Sequence, residues 1–330
     1  MTSTAHIINI SGGKDSGACV ELALLRGNPF RSVIADTGNE SEITWEHVDR
    51  LSDHIRARIG GDGIEVYRAD FTDRIARKRK FVADNWPNQG VPESDVQAAL
   101  EILQPTGNPF LDLCIWKGRF PSRRAQFCTE FLKYEAIWQQ CLMPTLQNQP
   151  VIQWIGVRRD ESVARANAQS WRTMRSTGLH QLRYFQPLIH WTADNVFSFT
   201  RARNAPINPL YMKGMKRVGC FPCINASKNE IEQISRRYPE AIERIATWES
   251  IVKKASKRGA ATFFASKTTP RGAAMARAGI KGGRNDADFP DAFEVAEWAK
   301  TDRTGRHRDW ILEAEREDEG LCASQYGLCE

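Results

Sequence analysis

No stretch of the chain approaches the roughly 20 consecutive apolar residues that a membrane helix requires, so a membrane-spanning reading is excluded and no membrane partner is expected. Met1 to Ile10 lacks a basic n-region and a long apolar h-region; nothing there marks a secretory signal, and a cytoplasmic location is expected. Histidine is scarce, with six in 330 residues. No H-E-x-x-H pair, no Ser-His-Asp order and no dinucleotide G-x-G-x-x-G is present, which argues against zincin, triad-hydrolase and Rossmann dehydrogenase chemistry. Internal repeats and long low-complexity tracts are also missing, so a solenoid is not expected.

What is present is the composition of a soluble globular protein, 41% hydrophobic and 26% charged, with enough chain for about two domains. Forty-six Lys and Arg against forty Asp and Glu give a net charge of +6. That excess is compatible with a polyanionic partner and equally ordinary in enzymes. Eight cysteines occur, four of them in two close pairs; in a reducing compartment such pairs point to metal or redox chemistry before disulfides.

His6–Ile10 is a β-branched strand pattern ending at Ser11-Gly12-Gly13, and helical spacing follows from Cys19 to Leu25. Arg31–Ala35 repeats the strand pattern, Thr44 can cap a helix to about Ile59, Ile64–Ala69 makes a third strand, and Thr72–Asn85 reads as helix. Pro87–Ser122 reads as an insertion over the sheet edge with one short helix at Ser94–Leu103. A helix from Thr129 to about Leu146, a strand at Val151–Val157, a last strand at Tyr184–Ile189 and a Thr192-capped helix to Arg203 complete the alternation. Strands separated by crossover helices imply a parallel twisted sheet with helices on both faces. We expect an α/β nucleotide-binding domain over residues 1–205 and a mainly helical region over 206–330, with helix at Lys228–Lys257, a Gly-, Ala- and basic-rich linker at Lys267–Arg284, and a Cys cluster.

Ser11-Gly12-Gly13-Lys14-Asp15-Ser16 sits where a strand turns into a helix. There the backbone amides and the positive helix end can hold an anion. Lys14 adds a cation, Ser11 and Ser16 add hydroxyls, and Asp15 can orient the loop or a magnesium ion. The spacing is not that of G-x-x-x-x-G-K-[ST]. The segment resembles the S-G-G-x-D-S signature of the PP-loop ATP pyrophosphatases, and within them the phosphoadenosine phosphosulfate (PAPS) reductase-like group. Asp36-Thr37-Gly38-Asn39-Glu40, Phe127-Cys128-Thr129-Glu130-Phe131-Leu132-Lys133 and Gly156-Val157-Arg158-Arg159-Asp160-Glu161-Ser162 agree with it. The resemblance, over residues 5 to 205, implies chemistry at the α–β phosphate junction of an adenine nucleotide, either ATP or an adenylyl sulfate-type compound. It implies that Ser11, Gly12, Gly13, Lys14, Asp15 and Ser16 cradle phosphate, with Asp36 and Thr37 near the nucleotide. Arg158 and Arg159, at another strand end, can supply guanidinium charge to phosphate or sulfate.

Cys220 and Cys223 form a C-x-x-C pair, and Cys322 and Cys329 lie in the last nine residues. Together they offer the four thiolates that a 4Fe-4S cluster or a zinc ion takes; the resembled family favours the cluster, with zinc as the alternative. Cys128 is a further ligand candidate or an acceptor thiol. It is lone, preceded by Phe127, where cluster-bearing sulfonucleotide reductases have two adjacent cysteines, and Tyr326 stands where their tail carries the catalytic cysteine. Cys19, Cys114 and Cys141 read as core, as do Trp138, Trp154, Trp248 and Trp298.

The reading is therefore an ATP-dependent PP-loop enzyme that adenylates an acceptor and releases pyrophosphate, in sulfur transfer or a related modification. Lys14, Asp15 and Cys128 are its catalytic candidates, and its expected partners are an adenine nucleotide and a sulfur donor protein or thiol reductant. One alternative is a PAPS or adenylyl sulfate reductase that releases sulfite. Another is a nucleic-acid-binding component of a modification or defence complex with a regulatory nucleotide site. The basic runs at Arg77–Lys80 and Lys253–Arg284 motivate the last, and the acidic run Glu313–Glu319 weighs against a uniformly basic face.

Overall fold

The computed structural model describes residues 3–174, 180–280, 283 and 289–302. The β-branched runs form β1 (Ala5–Ile10), β2 (Phe30–Asp36), β3 (Ile64–Arg68), β4 (Val151–Trp154), β5 (Trp171–Met174) and β6 (Leu182–Phe185), in one sheet of order β3-β2-β1-β4-β6-β5. Every neighbouring pair is parallel except the antiparallel edge pair of β5 and β6. Parallel pairing demands long crossovers. Among them run α1 (Lys14–Arg26), α2 (Glu42–Ile59), α3 (Thr72–Asn85), α4 (Glu93–Ile102), α5 (Pro109–Lys117) and the short α6 (Met143–Leu146). α7 (Ala193–Ala202), α8 (Lys228–Arg237), α9 (Pro239–Ala255), α10 (Pro270–Arg277) and α11 (Ala292–Ala299) follow the sheet.

Successive strand residues point to opposite faces, and both faces are covered. Ile8, Ile10 and Ile34 pack with Val20 of α1 and Leu51 of α2. Ile7 and Val33 pack with Ile137, Leu142 and Val151 on the other side. This is the expected α/β architecture of a parallel sheet covered on both faces, with a helical C-terminal region. A third apolar cluster unites Phe110 and Ile115 of α5 with Ile245 and Trp248 of α9.

Several expectations change in detail. Ser41, not Thr44, caps α2, its side chain accepting from the Thr44 N–H; Thr44 lies inside the helix. β4 ends at Trp154, ahead of Gly156, and β6 ends at Phe185, ahead of Pro187. The Thr129–Leu146 helix winds as π-helical turns at Thr129–Glu135 and Trp138–Leu142 before α6. Residues 87–122 touch the end of the edge strand β3 through Arg68 and the Gly107 carbonyl and also reach the C-terminal helices. They hold α5 as well as α4, and Phe110 stacks on Trp248 of α9 at 5.5 Å. The stretch read as a linker contains α10, capped by Thr269. Cys322, Cys329 and the acidic run Glu313–Glu319 lie outside the described residues.

Candidate nucleotide and thiol site

Strand order reverses around β1, whose neighbours β2 and β4 lead their chain away in opposite directions. A crevice at the carboxyl ends of the strands is expected at such a point, and the Ser11–Ser16 loop lies there, between β1 and α1. Gly12 has φ +71°, and a Cβ at this position would sit 2.4 Å from the Thr44 methyl, so the loop passes closer to α2 than any side chain permits. Ser16 Oγ donates to the Gly13 carbonyl at 2.9 Å and accepts from the Ser11 N–H at 3.2 Å. Asn208 Nδ2 holds the Gly12 carbonyl at 3.0 Å. Gly13 caps α1 without a side-chain hydrogen bond, which leaves the helix-start amides as the donors of the loop. One of them, the Lys14 N–H, donates to the buried Tyr211 hydroxyl at 3.0 Å.

The side chains of Lys14 and Asp15 are 8% and 15% exposed and pair at 3.2 Å. Asp15 Oδ1 also accepts from Arg158 Nε at 2.5 Å. Arg158, only 4% exposed, bonds Asp160 as well. Arg158 is thus part of the loop's own charge network. Arg159 is exposed and donates to the Ala168 carbonyl at 3.0 Å, away from this network. Both oxygens of Asp15 already face cations, so Asp15 offers no unengaged oxygen to a resident magnesium ion. Asp36, at the end of β2, accepts from the Gly38 N–H at 2.8 Å and from Arg68 Nε at 2.9 Å. The fully buried Thr37 donates its hydroxyl to Glu40 at 2.6 Å.

Residues 37–40 also hold the loop of Cys220 and Cys223. Thr37 Oγ1 lies 3.9 Å from Cys220 Sγ, and Glu40 forms a β-bridge with Cys220. The Phe221 N–H donates to the Asn39 carbonyl at 2.6 Å, and Asn39 Nδ2 donates to the Pro222 carbonyl at 2.9 Å. Cys128, Cys220 and Cys223 all lie within electrostatic reach of Lys133, on the π-helical turn. Cys128 also senses Cys223, and Cys220 senses Cys223 and Glu40. Burial pushes the Cys220 thiol up to about 11, with the Lys133 ammonium opposing it. Burial raises Cys128 too, and it raises Glu40 against the Thr37 hydrogen bond. The chemistry of this donor set, three thiols beside one cation, suits a soft metal or a cluster. No three Cys, His, Asp or Glu side chains among the described residues stand together as a ready metal cage. Cys128 thus lies within electrostatic range of Cys223 and Lys133 without forming a metal cage with the Cys220–Cys223 pair among the described residues. Cys19, Cys114 and Cys141 are buried core residues. Trp154 and Trp248 are buried as expected, while Trp138 and Trp298 are only partly so.

Residues 112–226 match the phosphoadenosine phosphosulfate reductase domain; that span holds Cys128, Lys133, Arg158, Tyr211, Cys220 and Cys223. A 37.8 kDa protein from the gpa 5′ region of Escherichia phage 186 is 42% identical over 344 residues, covering 99% of this chain and 97% of that one. An adenosine 5′-phosphosulfate reductase of Burkholderia cepacia is 34% identical over 74 residues, 22% of this chain and 28% of the reductase. The chain therefore carries a PAPS reductase family domain over residues 112–226, and over nearly its whole length it belongs to one family with the phage 186 protein. The PAPS reductase of Candida auris, solved as a phosphate complex, aligns over 66% of this chain and 82% of its own, with 15% identity and a TM-score of 0.40.

Sequence reasoning left Tyr211, Asn208, Asn39, Glu40 and Lys133 without roles. Asn39, Glu40 and Lys133 stood inside the quoted motifs. Tyr211 and Asn208 carried only the Asn-Pro turn signal at Asn208-Pro209, and nothing local announces that this turn lies against a loop some 200 residues earlier.

Proposed function

We propose that the chain binds ATP at the Ser11–Ser16 loop and transfers its adenylyl group to an acceptor, releasing pyrophosphate, in a sulfur-transfer or related modification. The acceptor's nucleophilic atom would bond to the α-phosphorus while the α–β P–O bond breaks. The electron pair leaves on pyrophosphate, and the acceptor's proton passes to solvent. The observation that supports this most is the start of α1 at the reversal of strand order, where Gly13 supplies no side-chain cap and the helix begins with a largely buried lysine. Lys14 and these amides would offset charge on the leaving pyrophosphate, and Arg158 would hold Asp15, which in turn orients Lys14. Magnesium would come as part of the nucleotide substrate, on its phosphate oxygens. Cys128, Cys220 and Cys223, with Cys322 or Cys329 as a fourth donor, would hold a 4Fe-4S cluster or a zinc ion, which supplies a Lewis-acidic anchor for sulfur. Lys133 would balance the thiolate charge.

The decisive experiment is Lys14→Ala. Pyrophosphate release with ATP should fall by at least 100-fold, about 2.7 kcal/mol of transition-state stabilisation, with the cooperative unfolding transition preserved. Undiminished release would sink the assignment. A second reading, a sulfonucleotide reductase, draws support from the gathering of three thiols within the family-matched segment. Sulfite release from adenylyl sulfate or its 3′-phosphorylated form with a thiol reductant would establish it in place of the first.

A further inference from the structure

A cavity of about 660 Å³ opens directly after the Cys220–Cys223 loop, between the turn at 120–124, the start of α8 and the segment 262–268. No residue of the Ser11–Ser16 loop, nor Asp36, Thr37 or Arg158, lines it. Its lining includes Arg123, Arg124, Lys228 and Lys267 and no Asp or Glu, in a chain whose 46 basic and 40 acidic residues are otherwise nearly balanced. A concave surface lined by one sign of charge concentrates counter-ions of the other sign. Arg123, Arg124 and Lys267 are exposed and enter no ion pair among the described residues.

Charge is only part of the chemistry. Phe264 and the partly exposed Trp298 also line the cavity, and the Lys228 ammonium lies 4.5 Å over the Trp298 ring. Asn225, whose own N–H donates to Cys223 Sγ at 3.5 Å, lines it with a buried Oδ1 that has no hydrogen-bond partner. An unsatisfied buried acceptor costs about 1–3 kcal/mol; this one is closed to solvent as the cavity stands, so a ligand N–H reaches it only when the Asn225 side chain turns. Acidic side chains would use the cations but have no aromatic plane for the rings. A nucleotide unit uses both the cations and the aromatic edge, phosphate on guanidinium and base against Trp298, since Phe264 is buried. The volume suits one such unit. The cations, however, come from three separate segments, more than one phosphate needs.

We propose that this cavity is a binding site for single-stranded nucleic acid, one base entering it while flanking phosphates lie on Arg123, Arg124 and Lys267. Its further role as the acceptor subsite rests on the adenylation reading above; strand binding itself does not.

The test titrates a fluorescein-labelled oligothymidylate of about 12 nucleotides against the full chain by anisotropy. With three phosphate contacts, log K should fall against log salt with a slope of about −2, and affinity should drop about 15-fold between about 50 and 200 mM salt. The double variant R123Q/R124Q should shift the slope to about −0.7 and weaken binding at least 10-fold at low salt, with ATP affinity unchanged. Asn225→Asp, which puts a negative charge of the same shape beside the base, should weaken binding about 10-fold. The proposal is overturned by absence of binding at low salt, by an unchanged slope in the double variant, by displacement with AMP at the strand's own affinity, or by polyglutamate competing equally charge for charge. Strand binding that passes these tests while adenylation of the strand is absent and pyrophosphate release persists would keep the site and remove its acceptor role.

Discussion

Tyr211→Phe is expected to weaken the free protein and to tighten its hold on ATP by the same amount. The Tyr211 hydroxyl accepts the Lys14 N–H at 3.0 Å. Its ring is buried and meets Phe197 edge-on at 5.2 Å, so phenylalanine keeps the packing and loses only the oxygen. Lys14 is the first residue of α1, and its N–H is one of the donors an anion at the helix start would take. A single N–H cannot serve the phenol and a phosphate oxygen at full strength together, so nucleotide binding must break the Tyr211 bond. Such a neutral hydrogen bond nets about 1 kcal/mol. The variant should therefore lose about 1 kcal/mol of unfolding free energy without nucleotide, and bind ATP about fivefold more tightly. At saturating ATP the two proteins should unfold together, because the bond is absent from both bound states. Urea denaturation with and without ATP, alongside calorimetric titration, reads both quantities. A variant that binds ATP more weakly, or a deficit that persists at saturation, would refute the reasoning and make the hydroxyl part of the bound state.

Gly12→Ala should cost about 3 kcal/mol, from a left-handed backbone and a Cβ 2.4 Å from the Thr44 methyl; adding Thr44→Ser should recover part of it in urea denaturation, and no recovery would place the strain elsewhere. Glu249, buried and accepting from the Phe263 and Ala292 N–H groups at 2.6 and 2.9 Å, is pushed up to about 7 by burial from an ordinary 4.5. The folded chain holds its proton where the unfolded chain releases it, so this carboxyl's contribution to stability, on the order of 3 kcal/mol, is lost as pH rises from about 4.5 to 7. Buried His47 is pushed down to about 4 by burial and Arg50; the unfolded chain takes its proton first, so its contribution rises with pH from about 4 to 6.5. The two slopes oppose each other. Glu249→Gln should unmask a steep rise in denaturation midpoint between about pH 4 and 6.5, and a profile matching the unsubstituted protein would contradict it. Cys128→Ser and Cys220→Ser should each strip iron or zinc from anaerobically purified protein to a similar extent, while Cys141→Ser, in the core, retains it. Full metal content in Cys128→Ser would restrict the ligands to the sequence-adjacent pairs.

The parts legible in the sequence were those whose cause is local. His6–Ile10 and Arg31–Ala35 alternate or run apolar because both sheet faces are covered, and the glycine turn at Ser11–Ser16 has one backbone solution that a side chain at Gly12 would block. The parts that were not legible have distant causes. Ser41 and Thr44 are both hydroxyl residues suited to a cap, and the Thr44 methyl under Gly12 is visible only once β1 and α2 meet. α5 is apolar on nearly every side and so shows no helical stripe; it is buried against α9. Gly272 read as a linker glycine, yet it lies in α10, where a Cβ would stand 1.8 Å from the Ser266 carbonyl oxygen, so it is there for close packing. The electrostatic influence of Cys223 on Cys128 links positions far apart in the chain, a separation that spacing rules for ligand pairs do not reach.

What joins the nucleotide loop to the thiols is the short segment after β2. Asn39 is fully buried and spends its carbonyl on Phe221, its Nδ2 on Pro222 and its Oδ1 on Arg244 at 3.2 Å. Arg244 also holds the Phe221 carbonyl. The Cys220–Cys223 loop is therefore gripped from β2 on one side and α9 on the other, and its thiols cannot drift from the sheet edge without breaking several buried hydrogen bonds. The Ser11–Ser16 loop is held in the same way, by Asn208 and Tyr211 from the segment that leads into Cys220. A phosphate bound as proposed would displace the Tyr211 hydroxyl and push on a strap only nine residues from Cys220. The Ser11–Ser16 loop and the Cys220–Cys223 loop thus share one covalent and hydrogen-bonded path, through which nucleotide binding at the first, if it occurs as proposed, would bear on the second.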